Sequence, residues 1–143
     1  MSVPAILLPV FAQIGLVFGL GMLMAARRLA AVRSGELKGV KLKMGERNWP
    51  APAQQASNAF SNQFELPVLF LVLVPLAMLT RKADLLFVVM SWIFILTRIA
   101  HAGAYVTTNR LAYRFGAYVA GALVLLAMWA IFAVRILLGP WPA

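Results

Sequence analysis

Four long apolar segments dominate the sequence. They run from about Val3 to Ala31, from Gln55 to Leu79, from Leu85 to Tyr105 and from Leu111 to Leu138. About twenty apolar residues are enough for an α-helix to cross the hydrocarbon core of a bilayer. Because lipid offers no hydrogen-bond partners to an exposed backbone, an isolated segment of this kind is stable there as a helix. The sequence therefore predicts an all-α membrane protein with four transmembrane helices.

The composition supports this interpretation and excludes several classes of site. Of the 143 residues, 63% are hydrophobic and 12% are charged, which is more apolar material than a soluble domain of this size can bury. The chain has no cysteine and one histidine, so we expect no disulfide, no cysteine nucleophile and no metal centre. The formal net charge is +9, and the basic residues responsible for it lie beside the apolar segments. This distribution indicates the lipid bilayer as partner and not nucleic acid. We expect one domain over residues 1–143.

The basic residues are distributed unevenly between the connections. The first and third connections, with the adjoining ends of the segments, hold Arg27, Arg28, Arg33, Lys38, Lys41, Lys43, Arg47, Arg110 and Arg114. The second connection holds Arg81 and Lys82. Cytoplasmic loops of membrane proteins carry the excess of Lys and Arg. Both termini are therefore predicted to lie outside the cytoplasm.

Polar residues form one stripe on the second segment and one on the third, because a helix has about 3.6 residues per turn. The stripes are Asn58, Asn62 and Glu65 on the second segment, and Arg98, His101 and Tyr105 on the third. Glu65 and Arg98 are expected at similar depth, and ionisable groups inside a membrane usually have a partner or face a wet cavity. The stripes thus predict either a structural Glu65–Arg98 ion pair or the wall of a polar pocket open to the cytoplasm.

Three further features have more than one interpretation. Pro67 and Pro75 remove hydrogen-bond donors from the second helix, so a bend is expected there. Gln13 is expected to form a hydrogen bond across helices or, alternatively, to face the same cavity. Arg114 begins the last segment and is either an interfacial anchor or a functional cation.

Two motifs in this order resemble a known family. The first is Asn62-Gln63-Phe64-Glu65 followed by Pro67, and the second is Arg98-x-x-His101-x-x-x-Tyr105 with Arg114 nine residues later. On a four-span chain they resemble the MAPEG family, the membrane-associated proteins in eicosanoid and glutathione metabolism, which includes the microsomal glutathione transferases. The chain looks like a divergent, bacterial-type member, located in the bacterial inner membrane.

The resemblance implies a left-handed bundle of four helices, assembled as a homotrimer that binds glutathione near the cytoplasmic face. It implies that glutathione is conjugated to, or reduces, a lipophilic small-molecule electrophile. Arg114 would be the catalytic residue that stabilises the thiolate, and Tyr105 or Tyr118 would donate a hydrogen bond to the same sulfur. The implied cofactor-binding residues are Asn62, Glu65, Arg98, His101, Tyr105 and Tyr118.

The chain also departs from the family pattern. Family enzymes often carry arginine at the positions of Asn58 and Ser61, and serine at the position of Phe115. These departures leave an alternative open: a non-catalytic binding or structural membrane protein that retains the fold. A second alternative is a small transporter in which Glu65 carries the coupled proton.

Overall fold

The helices follow the predicted segments. The computed structural model describes residues 1–35, 37 and 49–139, so Lys38, Lys41, Lys43 and Arg47 of the first connection lie outside the described residues. The described ranges contain α1 (Val3–Ser34), α2 (Ala51–Ser61), α3 (Leu66–Leu79), α4 (Leu85–Val106) and α5 (Leu111–Leu137), and no strand. With α2 and α3 counted as one span, Ala51–Leu79, four helices are long and apolar enough to cross a membrane. The predicted all-α membrane fold is confirmed.

Local sequence explains where several helices begin and end. Pro4, Pro52 and Pro67 stand in the first turns of α1, α2 and α3, where a missing N–H costs no helical hydrogen bond. Gly35 ends α1 with φ 76°, a left-handed conformation that glycine adopts without strain. Asp84 caps α4, and its carboxylate accepts a hydrogen bond of 2.9 Å from the N–H of Phe87. The helix ends are therefore largely determined by these residues.

The helices pack around α4, which contacts α1, α2 and α5. Phe70 and Phe94 are fully buried, and their ring centroids lie 5.0 Å apart at the centre of the main apolar cluster. Large apolar side chains on the outside remain exposed, among them Phe11, Phe18 and Met22 of α1. Such an exposed apolar surface is expected where lipid is the solvent.

A buried pair of amide side chains joins α1 to the second span. Gln13 is fully buried, and its Nε2 donates to Oε1 of Gln63 at 3.0 Å. Gln63 in turn donates from Nε2 to the carbonyl of Ala59 at 3.1 Å. The predicted hydrogen bond of Gln13 across helices is confirmed.

Asp84 also connects α4 to α5. Its Oδ2 lies 2.7 Å from a guanidinium nitrogen of Arg135, near the C-terminal end of α5. The hydrogen bond from Arg135 holds the pKa of Asp84 below its usual value. The carboxylate is therefore both a helix cap and one half of an ion pair between helices.

We predict that Asp84→Ala lowers the free energy of unfolding by about 1 kcal/mol, because the cap of α4 is lost. Asp84→Asn keeps a capping oxygen and should cost less. Because the folded pKa is depressed, the contribution of the ion pair is present above the unfolded pKa and is lost as pH falls through the folded pKa. The unfolding temperature, measured by circular dichroism in mild detergent, should therefore fall less between neutral and acidic pH in Asp84→Asn than in the wild type. Equal unfolding temperatures for the wild type and Asp84→Ala would contradict the cap.

Candidate functional site

The second span is interrupted where its polar residues lie. Asn62, Gln63 and Phe64 form a 3-10 turn, and Glu65 leaves helical geometry with φ −100° and ψ −105° before α3 begins. Pro67 has no N–H, so the carbonyl of Gln63 lacks its usual helical donor. The predicted bend is confirmed at Pro67, whereas Pro75 lies inside the continuous helix α3.

The predicted ion pair between Glu65 and Arg98 is wrong. Arg98 is 1% exposed and Glu65 is exposed, and within the described part of the chain the one salt bridge joins Asp84 to Arg135. The prediction assumed a continuous helix, but the chain leaves helical geometry at Glu65 itself. The carboxylate therefore does not lie on the helical stripe from which the pair was inferred.

Arg98 instead bonds to the backbone of α5. Its Nη2 donates to the carbonyls of Ala117 at 3.0 Å and Tyr118 at 3.4 Å. Its Cζ lies 5.5 Å from the ring centroids of both Phe94 and Tyr118, a distance at which an aromatic face attracts a cation. Gly121 makes room for this arrangement, because a Cβ at that position would overlap the guanidinium. Arg98 thus ties α4 closely to α5.

His101 links the interrupted turn to α5. Its Nδ1 lies 2.9 Å from the carbonyl oxygen of Arg114, and since a carbonyl only accepts, Nδ1 carries a proton. In the neutral ring, Nε2 then accepts a longer hydrogen bond, 3.4 Å, from the amide of Asn62. The histidine is 4% exposed, and its ring lies 5.2 Å from that of Tyr105 and 5.7 Å from that of Tyr118. It therefore fixes the relative positions of these polar groups.

Arg114 is held over Tyr105. Its Cζ lies 4.2 Å from the centroid of the Tyr105 ring, and its Nη1 donates to Oδ1 of Asn109 at 2.6 Å. Asn109 has φ 50°, a left-handed conformation that asparagine tolerates better than most residues. The Nε of Arg114 is buried and has no hydrogen-bond partner in the described part of the chain. This placement differs from that of an anchor directed outward to lipid headgroups.

These side chains meet at one open pocket between the interrupted turn, α4 and α5. Its volume is about 240 Å³, and it is lined by Asn62, Glu65, His101, Tyr105, Leu111, Arg114, Phe115 and Tyr118. Six of the seven predicted site residues thus line one pocket. The seventh, Arg98, lies against Tyr118 without being part of the lining. The wall has a guanidinium, a carboxylate and neutral polar groups, which suit a polar, charged ligand. Two apolar side chains at the edge suit an apolar molecule bound beside it.

A family model described as the MAPEG family matches residues 6–134. The chain belongs to the MAPEG family. Its resemblance to that family, inferred from the two motifs, is confirmed. No match was found among curated proteins or among solved structures.

Some contacts around the site of this MAPEG chain were not predicted. Asn109 orients Arg114, and the sequence signal for it is weak: an asparagine in the turn before α5. Arg27 donates to the carbonyls of Pro52 and Val106, at 3.0 Å each, and so joins α1 to the beginning of α2 and the end of α4. No sequence pattern indicates this contact, because its acceptors are backbone carbonyls on separate helices.

We predict that Gly121→Ala destabilises this MAPEG chain by about 1–3 kcal/mol, because the added methyl group overlaps both the buried Arg98 guanidinium and the Thr97 hydroxyl group. Gly116→Ala is the matched control in the same helix, since a Cβ there meets no heavy atom within 4 Å. The control should be neutral or slightly stabilising, because alanine is favoured over glycine in a helix. Thermal unfolding in mild detergent measures both variants, and equal effects would contradict the close approach of Arg98 at Gly121.

Proposed function

We propose that this MAPEG protein binds glutathione in the pocket, with the thiol beside Arg114, and conjugates the whole glutathione molecule through its sulfur to a lipophilic electrophile, or uses it to reduce one. The observation that carries the proposal is the position of Arg114. Its guanidinium lies over Tyr105 on the pocket wall, and its buried Nε is free of partners among the described residues. Membership in a family associated with glutathione supports this choice of ligand.

The charges around the pocket fit a peptide thiolate. Glutathione with an ionised thiol has two carboxylates, one ammonium group and the thiolate, and so carries an excess of negative charge. Arg114 on the wall and Arg98 just behind Tyr118 are both cationic, and Glu65 is the acidic member of the lining. Glu65 suits the ammonium group of the ligand. The two arginines suit its anionic groups, since opposite charges a few ångströms apart favour the ionised forms.

The chemistry follows from the same residues. A guanidinium beside the sulfur lowers the pKa of a bound thiol and increases the fraction of the nucleophilic thiolate. A hydroxyl group of Tyr105 or Tyr118 donates a hydrogen bond to that sulfur. The sulfur then forms a bond to the electrophilic carbon, and the leaving group departs with the electron pair of the bond that breaks. Leu111 and Phe115, which are 69% and 66% exposed, offer the apolar substrate a contact at the edge of the pocket.

One observation favours the non-catalytic alternative. Asn58 and Ser61, where family enzymes often carry arginine, do not line the pocket. Asn58 instead accepts a hydrogen bond of 2.8 Å from Gln54. Arg110 does not replace these donors in the lining, since its guanidinium lies 6.0 Å from the Tyr113 ring. A binding protein would take up glutathione without forming the thiolate, and this difference can be measured.

We predict that Arg114→Leu raises the pKa of the bound glutathione thiol by about 1–3, because the thiolate loses its nearest cation. The ultraviolet absorbance of the thiolate at neutral pH should disappear, together with conjugation of a lipophilic aryl halide. Arg114→Lys should restore the absorbance in part, since an ammonium retains the charge but not the planar donors.

Arg110→Leu is the matched control: it removes the same side chain four residues earlier, outside the pocket lining. It should leave the thiolate absorbance unchanged. If calorimetry shows that the wild type binds glutathione but no thiolate absorbance appears, the result would support the non-catalytic alternative. Absence of binding would overturn the catalytic proposal and leave a structural membrane protein that retains the fold.

We further propose that the protein is a homotrimer in a bacterial inner membrane, with both termini outside the cytoplasm. Membership in the MAPEG family supports the homotrimer. The larger number of arginine residues near the pocket end supports a cytoplasmic location of that end. We predict trimers in native mass spectrometry from mild detergent. Monomers or dimers alone, from a preparation that is still helical by circular dichroism, would contradict the assembly.

A further inference from the structure

A basic cavity lies at the end of the bundle opposite the pocket. Its volume is about 350 Å³, and it is lined by Arg81, Lys82, Asp84, Arg135 and Gly139. Three basic side chains and one acidic side chain leave an excess of two positive charges. The carboxylate of Asp84 already pairs with Arg135 at 2.7 Å, so Arg81 and Lys82 have no carboxylate partner in the described part of the chain. The cavity therefore favours an anion.

An apolar groove between α4 and α5 continues from this cavity. The two share Lys82 and Arg135, and the rest of the groove is lined by Leu86, Phe87, Met90, Met128, Ile131 and Phe132. The free volume of the groove is only about 10 Å³, so an acyl chain would lie along its outer surface or enter after the flexible side chains of Met90 and Met128 move. One molecule with an anionic head and an apolar tail would match both parts at once.

The backbone conformation at Arg81 places its side chain beside the cavity. Arg81 has φ 56°, the left-handed conformation that commonly follows a helix and that glycine adopts most easily. Its N–H donates to the carbonyl of Met78 at 3.1 Å, and the N–H of Lys82 donates to that of Ala77 at 2.8 Å. These bonds close α3 and hold both residues at the cavity. The same conformation directs the chain from α3 towards α4 with Arg81 and Lys82 beside the cavity.

We propose that this cavity binds the phosphate of an anionic phospholipid, whose acyl chain lies in the adjoining groove. Arginine and lysine are the usual partners of phosphate oxygens. The apolar groove that shares two of the basic residues distinguishes a lipid from free phosphate as the occupant. The site lies at the other end of the bundle from the glutathione pocket and does not depend on it.

Native mass spectrometry of the purified protein tests the proposal. The protein is titrated with phosphatidylglycerol and with phosphatidylcholine of the same acyl chains. The wild type should prefer phosphatidylglycerol by about 10- to 30-fold, because this lipid has a net negative charge, whereas the choline ammonium group neutralises the phosphate of phosphatidylcholine and is repelled by the two basic groups. The double variant Arg81→Gln, Lys82→Gln should lose most of that preference. The matched control, Arg33→Gln with Arg110→Gln, removes two exposed basic side chains at the pocket end and should retain it.

Several results would overturn the proposal: equal affinity for the two lipids, an equal loss in the control, or full displacement of the lipid by inorganic phosphate. Displacement by phosphate would identify a free-phosphate site instead of a lipid site. Circular dichroism establishes that each variant is folded. If the double variant does not fold, Lys82→Gln alone should show a smaller loss of preference, and an unchanged preference there would equally overturn the lipid site.

Discussion

A guanidinium buried within a membrane span depends on the protein for its partners, and Arg98 is bonded to backbone carbonyls and not to a carboxylate. Its Nη2 donates to the carbonyls of Ala117 and Tyr118, and its Cζ lies 5.5 Å from the ring centroids of Phe94 and Tyr118, whereas its buried Nε has no partner in the described part of the chain. A helical carbonyl has a second lone pair available after its own helical bond, so α5 can accept without unwinding. The absence of a side chain at Gly121 lets the two helices approach closely enough. This contact, together with the Asp84–Arg135 ion pair and the His101–Arg114 hydrogen bond, joins α4 to α5.

That pairing sets the geometry of the pocket. With α4 and α5 held together, the His101 ring reaches the carbonyl of Arg114, and the Arg114 guanidinium reaches the face of Tyr105. The interruption after α2 then brings Asn62 to the other side of the His101 ring. Each polar group is positioned by a neighbour on a different helix, so the site forms only when all of these helices are packed.

The spans and the polar faces of the second and third segments were predictable from local periodicity, whereas Arg114 and Tyr118 were assigned to the candidate site from the family resemblance. The length of the apolar segments fixes the number of spans, and a period of about 3.6 residues places His101 and Tyr105 on one face of α4. The Glu65–Arg98 pair failed because a helical stripe carries no information about a break at Glu65. The contacts of Arg27 and Arg98 were also not predictable, because their acceptors are backbone carbonyls, which every residue offers equally. Asn109 was missed for a related reason: its role depends on a turn whose backbone conformation the sequence does not specify.

The failed pair has a consequence for the ligand. Had Glu65 neutralised Arg98, the inner wall of the pocket would carry little net charge. Instead the groups in direct contact with Arg98 are neutral and the Glu65 carboxylate acts only at longer range, and aromatic faces and carbonyl dipoles compensate a cation less completely than a paired carboxylate does. Arg98 lies behind Tyr118, which lines the pocket together with Arg114. A thiolate bound there would provide part of the counter-charge that the fold lacks. The anion that we propose as ligand would therefore stabilise the α4–α5 contact as well as being stabilised by it.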